Sequence, residues 1–119
     1  MPTFSTLESI ALVAVLAALW FFFMRNRQPA LSPERLAELR RNGAQIIDVR
    51  SPGEFAQGHA KGSRNIPLGE LKAQLGTLRK DKPVLTCCAS GARSAMAAGI
   101  LRKAGFAEVL NAGRWTAVQ

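Results

Sequence analysis

The sequence has few of the residues that hold metal ions or crosslink small proteins. Its 119 residues include two cysteines and one histidine, His59. These side chains fall short of the ligand set that a structural zinc site needs, and their spacing is unfavourable. Cys87 and Cys88 are adjacent, so a disulfide between them would close a strained ring over one peptide bond. We therefore expect no metal, no organic cofactor and no structural disulfide.

Acidic residues are also scarce, with 8 Asp and Glu against 16 Lys and Arg, a formal net charge of +8. A surface that binds nucleic acid would group the basic residues along one helix or interleave them with aromatic residues. Here they are spread along the chain. The excess charge therefore predicts a solvated basic surface near anionic membrane lipid, or attraction of small anionic substrates, and no nucleic-acid partner.

An uninterrupted apolar run occupies residues 10–24. Counted from Phe4 it covers roughly 31 Å as a helix, against about 30 Å of hydrocarbon in a bilayer. A cleavable signal would need basic residues before the run, but none precedes Arg25. Arg25 and Arg27 follow the run, so the positive-inside rule predicts a single-pass anchor with its N-terminus outside and the rest in the cytoplasm, as in a bacterial inner membrane. Cleavage and a merely buried helix are the alternatives.

The remaining chain alternates between helix and strand signals. We divide the sequence into an anchor at 1–27, a linker at 28–32 and one compact domain at 33–119. Strands are predicted at 45–49, 65–67, 83–88 and 107–111. Helices are predicted from Pro33 after an N-cap at Ser32, at the capping box of Ser51 and Glu54, over 68–78 with Lys72 exposed, and from residue 92 to a cap at Gly105. This alternation implies an α/β fold, a three-layer sandwich with a mainly parallel central sheet.

The segment TCCASGARS, residues 86–94, joins a buried strand to a helix. A loop at this edge of a parallel sheet is where α/β folds place their ligands. The helix N-terminus offers free backbone amides and a partial positive charge, and Arg93 adds a full charge. Both favour a thiolate, so we expect Cys88, at the strand end, to be nucleophilic. Cys87 lies within the strand and should point to the opposite side of the sheet as an ordinary core residue.

Two motifs resemble those of the single-domain rhodanese sulfurtransferases. They are Cys88-x-x-Gly91-x-Arg93-Ser94 and the upstream stretch IIDVRSPGEFAQGHAKGSRNIPL, and the resemblance extends over residues 31–115. Two positions depart from the family pattern, since Lys61 replaces a usual proline and Ala112 replaces a usual glycine. The resemblance implies the rhodanese-like three-layer fold and a sulfur-transfer activity without metal or organic cofactor.

The resemblance also implies roles for individual residues. Cys88 would attack the outer sulfur of thiosulfate or another small anionic donor, and the resulting persulfide would pass its sulfur to cyanide, a thiol or a protein acceptor. Asp48, Arg50 and Ser94 would support the site from behind, while Glu54 and His59 would buttress the sheet and the loop. The expected substrate cradle consists of Ala89, Ser90, Gly91, Ala92 and Arg93.

Two other functions stay open at this level. Cys87 is followed after five residues by Arg93 and Ser94, the bare Cys-x5-Arg spacing of protein phosphatases and arsenate reductases. The usual glycine of that motif would fall on Ser90, however, and Thr86 stands where those enzymes carry a histidine. Alternatively, a membrane-tethered module could carry a persulfide or dock a partner without free turnover. The sequence leaves the physiological donor, the acceptor and the oligomeric state open.

Overall fold

A computed structural model describes residues 5–25 and 31–119, and the chain divides into two compact units between Ala30 and Leu31. In the first unit, helix α1 spans Thr6–Arg25. Its start is fixed by a reciprocal cap, in which the Ser5 and Glu8 side chains each accept a hydrogen bond from the other residue's backbone amide. Among the described residues it is the one helix long and apolar enough to cross a membrane. Arg27 and linker residues 28–30 lie outside the described residues.

The second unit, Leu31–Gln119, is built on a four-stranded sheet with the order β2-β1-β3-β4. Every strand pairing is parallel, as the sequence predicted. In the register Asp48 of β1 lies beside Cys87 of β3, so the carboxyl ends of the two central strands meet at one edge. The strands are β1 (Gln45–Asp48), β2 (Arg64–Asn65), β3 (Val84–Cys88) and β4 (Val109–Arg114).

The second unit has four helices, one before β1 and three in the connections between strands, and most begin where the sequence predicted. The Ser32 side chain caps the first of them, and Ser51 and Glu54 form the predicted capping box of the second. The single helix predicted over 68–78 is wrong: a 3-10 turn at Leu68–Glu70, a short helix and a second 3-10 turn at Leu75–Thr77 replace it. Glycines in both 3-10 turns weaken a continuous helix. The helices are α2 (Pro33–Arg41), α3 (Pro52–Gln57), α4 (Leu71–Gln74) and α5 (Ala92–Lys103).

Two hydrophobic cores lie on opposite faces of the sheet, which gives the three-layer architecture. One core packs Cys88 with residues of α4 and α5, including Leu71 and Leu101. The other packs Cys87 with residues of α2 and with Val118 of the 3-10 turn Trp115–Val118. Adjacent residues of a strand point to opposite faces, and the predicted opposition of the two cysteines is confirmed.

The last strand begins and ends later than predicted, and it contains a bulge. Thr86 pairs with Asn111 but Cys87 pairs with Gly113, so Ala112 is the extra residue. Gly113 has φ of +79°, which glycine adopts without strain. The Asn111 side-chain oxygen accepts a hydrogen bond from the Gly113 amide at 2.9 Å. Ala112, the departure noted in the sequence, packs against the second core, and the Asn111 side chain lies on the other face and contacts the loop after β3.

Candidate active site

The loop between β3 and α5 wraps the sulfur of Cys88. Gly91 ends the loop as the N-cap of α5 with φ of +104°, a left-handed conformation that favours glycine. In this conformation its amide donates a hydrogen bond to Sγ of Cys88 at 2.9 Å. The Ser94 amide, in the first turn of the helix, donates to the same sulfur at 3.4 Å. The predicted placement of the thiol at a helix N-terminus is therefore what the structure has.

Two opposing effects act on the ionisation of Cys88. Burial alone would raise the pKa of its thiol. Hydrogen bonding with the Ser94 side chain, and hydrogen bonds from the amides of Ser94, Gly91 and Ser90, favour the thiolate and bring the pKa below its ordinary value. A lowered pKa on a sulfur at a strand end is typical of a nucleophilic cysteine.

Ser94 is fully buried and contacts the sulfur directly. Its Oγ lies 3.3 Å from Sγ of Cys88, 3.0 Å from the Gly91 carbonyl oxygen and 2.6 Å from Oδ1 of Asn111. The carbonyl of Ser94 accepts a hydrogen bond from the Thr86 hydroxyl at 2.8 Å, which ties the helix to the strand. Ser94, which the sequence analysis placed behind the site, therefore contacts the Cys88 sulfur directly.

Arg93 differs from the expectation that its charge is free to assist the thiolate. Its guanidinium forms two hydrogen bonds with the Glu54 carboxylate, at 2.8 and 3.0 Å, and both side chains are 38% exposed. Arg93 and then Ser51 hold the pKa of Glu54 down at about 2. Glu54, which the sequence assigned to buttressing, therefore joins α3 to α5 and neutralises the charge of Arg93, the cation of the expected cradle.

Asp48 and Arg50 form a buried ion pair on the Cys87 side of the sheet. Nη2 of Arg50 lies 2.7 Å from Oδ2 of Asp48, and the two side chains are 5% and 0% exposed. The guanidinium also donates to the Gly58 carbonyl at 2.7 Å and lies over the Trp115 ring, 4.8 Å from its centroid. The pair orders the segment after β1, and neither residue hydrogen-bonds the Cys88 sulfur.

Cys87 has none of the features that activate its neighbour. Desolvation first, and then the charge of Asp48, raises the pKa of Cys87 to about 12. The thiol is fully buried in the second core. A Cys-x5-Arg mechanism would need this thiol as an accessible thiolate, so the geometry gives that alternative no support.

Other predicted residues lie farther from the chemistry. The His59 ring stacks on Phe55 with centroids 3.7 Å apart, and its Nδ1 lies 2.8 Å from the Phe55 carbonyl oxygen. This is the hydrogen-bonded structural role that the sequence suggested. Ala89, Ser90 and Ala92 of the expected cradle are exposed. Among the described residues, no group of three His, Cys, Asp or Glu side chains is placed to hold a metal ion.

Asn111 is the residue near the sulfur that sequence reasoning missed. Its Oδ1 accepts the hydrogen bond from the Ser94 hydroxyl, and its Nδ2 donates to the Gly91 carbonyl at 3.4 Å. One signal could have found it, since it is a polar residue in a strand whose carboxyl end should meet that of β3 in a parallel sheet.

Comparison with known proteins places this geometry in a family. The model of the rhodanese-like domain matches residues 32–114. The chain is 52% identical over 68 residues to protein YqhL of Bacillus subtilis, covering 57% of this chain and 54% of that protein. It is 37% identical over 79 residues to the thiosulfate sulfurtransferase GlpE of Pseudomonas aeruginosa, covering 66% of this chain and 72% of that one.

A solved structure agrees in fold. The chain superposes on a rhodanese from Escherichia coli with a TM-score of 0.59 at 37% identity, covering 62% of this chain and 89% of that one. The alignment thus takes in most of the length of that protein. From the family match over most of the second unit, and from this likeness, the chain belongs to the rhodanese-like domain family.

Proposed function

We propose that the chain is a sulfurtransferase that carries sulfane sulfur on Cys88 as a persulfide. The observation that carries this proposal is the hydrogen bond from the Gly91 amide to the Cys88 sulfur at 2.9 Å, at the N-terminus of α5. Similarity to a protein named thiosulfate sulfurtransferase supports the same class of reaction. Thiosulfate is the donor we propose to test first.

The reaction proceeds in two displacements. The Cys88 thiolate attacks the outer sulfur of thiosulfate, the S–S bond of the donor breaks, and sulfite leaves with the electron pair. The persulfide then presents its outer sulfur to an acceptor thiolate or cyanide, whose attack breaks the Cys88 S–S bond and restores the thiolate. The Gly91 and Ser94 amides stabilise the anionic sulfur at the start and end of the cycle.

The loop also controls access to the sulfur. Cys88 has no solvent-exposed surface in this structure. The neighbouring residues Ala89 and Ser90 are exposed and small. A donor therefore reaches the sulfur only when the loop moves, and its small residues select substrates by size more than by chemistry.

The proposal also covers location and the division of the chain. The chain would consist of an anchor at 1–27, a linker at 28–32 and the domain at 33–119. Helix α1 would tether the domain to membrane lipid, with the N-terminus outside and the domain in the cytoplasm. Protease added to intact cells should then leave residues 28–119 uncut. Digestion from outside would overturn the orientation, and a mature protein that starts near residue 20 would overturn the anchor.

The decisive experiment compares the two cysteines as matched variants. Full-length protein in detergent micelles is treated with thiosulfate, and each cysteine is read by mass spectrometry for a gain of about 32 Da, one sulfur atom. Cys88→Ser should lose both the adduct and thiosulfate-dependent turnover with cyanide, whereas Cys87→Ser should keep both. Loading of Cys88 without turnover would indicate a carrier. Loss of activity in Cys87→Ser alone would favour the Cys-x5-Arg mechanism.

A further inference from the structure

The hydroxyl group of Ser94 has one proton and three acceptors within reach. The acceptors are the Cys88 sulfur at 3.3 Å, the Gly91 carbonyl at 3.0 Å and Oδ1 of Asn111 at 2.6 Å. The residue is fully buried, so the hydroxyl has no contact with bulk solvent. A hydroxyl donates one hydrogen bond at a time. Where this proton points therefore decides whether the sulfur receives a donor from Ser94.

The orientation of the Asn111 amide is fixed by its neighbours. The Gly113 amide is a donor only and lies 2.9 Å from the Asn111 side chain, so the atom facing it must be the acceptor Oδ1. The other end, Nδ2, faces the Gly91 carbonyl at 3.4 Å, which is an acceptor. Oδ1 is then the atom that faces Ser94, and at 2.6 Å it forms the shortest of the three contacts.

When the Ser94 hydroxyl donates its hydrogen bond to Oδ1 of Asn111, its oxygen is free to accept one from Cys88. The neutral thiol S–H then donates to Ser94 Oγ, the arrangement in the structure. When the thiol ionises, the sulfur becomes the stronger acceptor, and the hydroxyl can rotate to donate to it. That rotation gives up the Asn111 contact, although Asn111 keeps the Gly113 amide. The two residues thus compete for the same proton.

We propose that Asn111 is a positioning residue for sulfur transfer: by accepting the hydrogen bond of the Ser94 hydroxyl it restrains the ionisation of Cys88. This inference rests on the proposed role of Cys88. In the cycle, the hydroxyl turns to the sulfur whenever Cys88 is a thiolate, including the moment when the outer sulfur departs to an acceptor. It turns back to Asn111 when the sulfur is neutral. No proton is gained or lost by Ser94 in these steps.

Few charged groups share the surroundings of the sulfur. Arg93 on α5 is neutralised by Glu54 on α3. Arg114 of β4 lies opposite Cys88 in the register and is exposed. Cys87 of β3 faces the other side of the sheet, where it lies near Asp48 and Arg50. The Asn111 side chain hydrogen-bonds none of these groups, so changes at Asn111 should reach the sulfur through Ser94.

The test is a double-variant cycle read by the ionisation of Cys88. The rate of iodoacetamide alkylation is measured against pH on the full chain in detergent micelles, with mass spectrometry assigning the label to Cys88. Asn111→Ala should shift the apparent pKa downwards, with about a three- to tenfold gain in thiolate below the pKa, the effect of one freed hydrogen bond. Ser94→Ala should shift it upwards. In the Ser94→Ala background, Asn111→Ala should add nothing.

Controls separate this role from simple support of the loop. Asn65→Ala removes another asparagine that bonds only backbone carbonyls, those of Asp48 and Arg50, and should leave the Cys88 titration unchanged. If Asn111→Ala fails to fold, Asn111→Ser retains a short acceptor for the Gly113 amide and should give a smaller shift in the same direction. An upward or absent shift, or one that persists without Ser94, overturns the inference. Alkylation needs no sulfur donor, so failure of the proposed function would not affect this result.

Discussion

Replacing Gly91 by alanine tests the loop geometry most directly. Its φ of +104° is unfavourable for alanine, and the left-handed region costs a residue with Cβ about 1 to 2 kcal/mol. The new Cβ would lie 3.5 Å from the Gly113 Cα, an ordinary contact, so the cost is torsional and not steric. For a domain of this size we expect the melting temperature to fall by about 4 to 16 °C.

The same substitution affects the sulfur if the backbone relaxes. A change of φ would turn the Gly91 amide away from Cys88, which loses its shortest donor at 2.9 Å. A hydrogen bond to a charged group contributes about 1.5 to 3 kcal/mol, so the pKa of Cys88 would rise and the thiolate fraction below that pKa would fall by about 10- to 150-fold. Gly91→Ala should therefore lose stability, thiolate or both.

Gly99→Ala is the matched control in the helix that follows. Gly99 lies within α5, and no atom lies within 4 Å of a Cβ added there. Alanine in a helix is more stable than glycine by about 0.5 to 1 kcal/mol, so this variant should melt higher. Melting is followed by circular dichroism, and thiolate by alkylation against pH. The assigned geometry would be refuted if both variants changed the melting temperature in the same direction. It would also be refuted if Gly91→Ala left both the melting temperature and the thiolate fraction unchanged.

Three further outcomes follow from the ion pairs. Arg93→Ala should lower kcat/KM for thiosulfate about 5- to 150-fold because it leaves the Glu54 carboxylate uncompensated beside the loop. The double variant Arg93→Ala/Glu54→Ala should recover part of this loss. Unchanged kinetics with a large loss of melting temperature would make Arg93 purely structural. The pKa of Glu54 is lowered from 4.5 to about 2, so its stabilisation is present above the unfolded value and lost as the pH falls through that window. Melting temperatures measured against pH should then drop less steeply for Glu54→Gln than for the wild type, and parallel curves would contradict this. Asp48→Asn should cost about 3 to 5 kcal/mol in urea unfolding because it leaves the buried Arg50 unpaired, and a loss below about 1 kcal/mol would count against a buried pair.

Local signals predicted the elements whose boundaries are set by nearby residues. Ser32 and Ser51 each cap a helix that begins at the following proline. A capping hydrogen bond spans three residues, so its pattern is visible in sequence. The helix predicted over 68–78 was wrong, because Leu71 and Leu78 are buried by a short helix flanked by two glycine-containing 3-10 turns. Hydrophobic spacing alone does not distinguish these arrangements.

The sequence by itself determined the apolar N-terminal helix, the parallel α/β order and the distinction between Cys87 and Cys88. Each depends on hydrophobic periodicity, on alternation along a strand or on a short motif, and these are properties of neighbours in the chain. It also placed Cys88 at a helix N-terminus, because strand, loop and helix are contiguous.

Only the tertiary structure decided which partners meet across the fold. Glu54 and Arg93 are 39 residues apart, and Asn111 lies 17 residues from Ser94. Their contacts depend on how α3 packs beside the loop and on the pairing of β4 with β3, which brings Asn111 to Ser94. Hydrogen bonds and ion pairs act over a few ångströms, so the competition for the Ser94 proton and the neutralisation of Arg93 arise only when distant strands and helices are brought together.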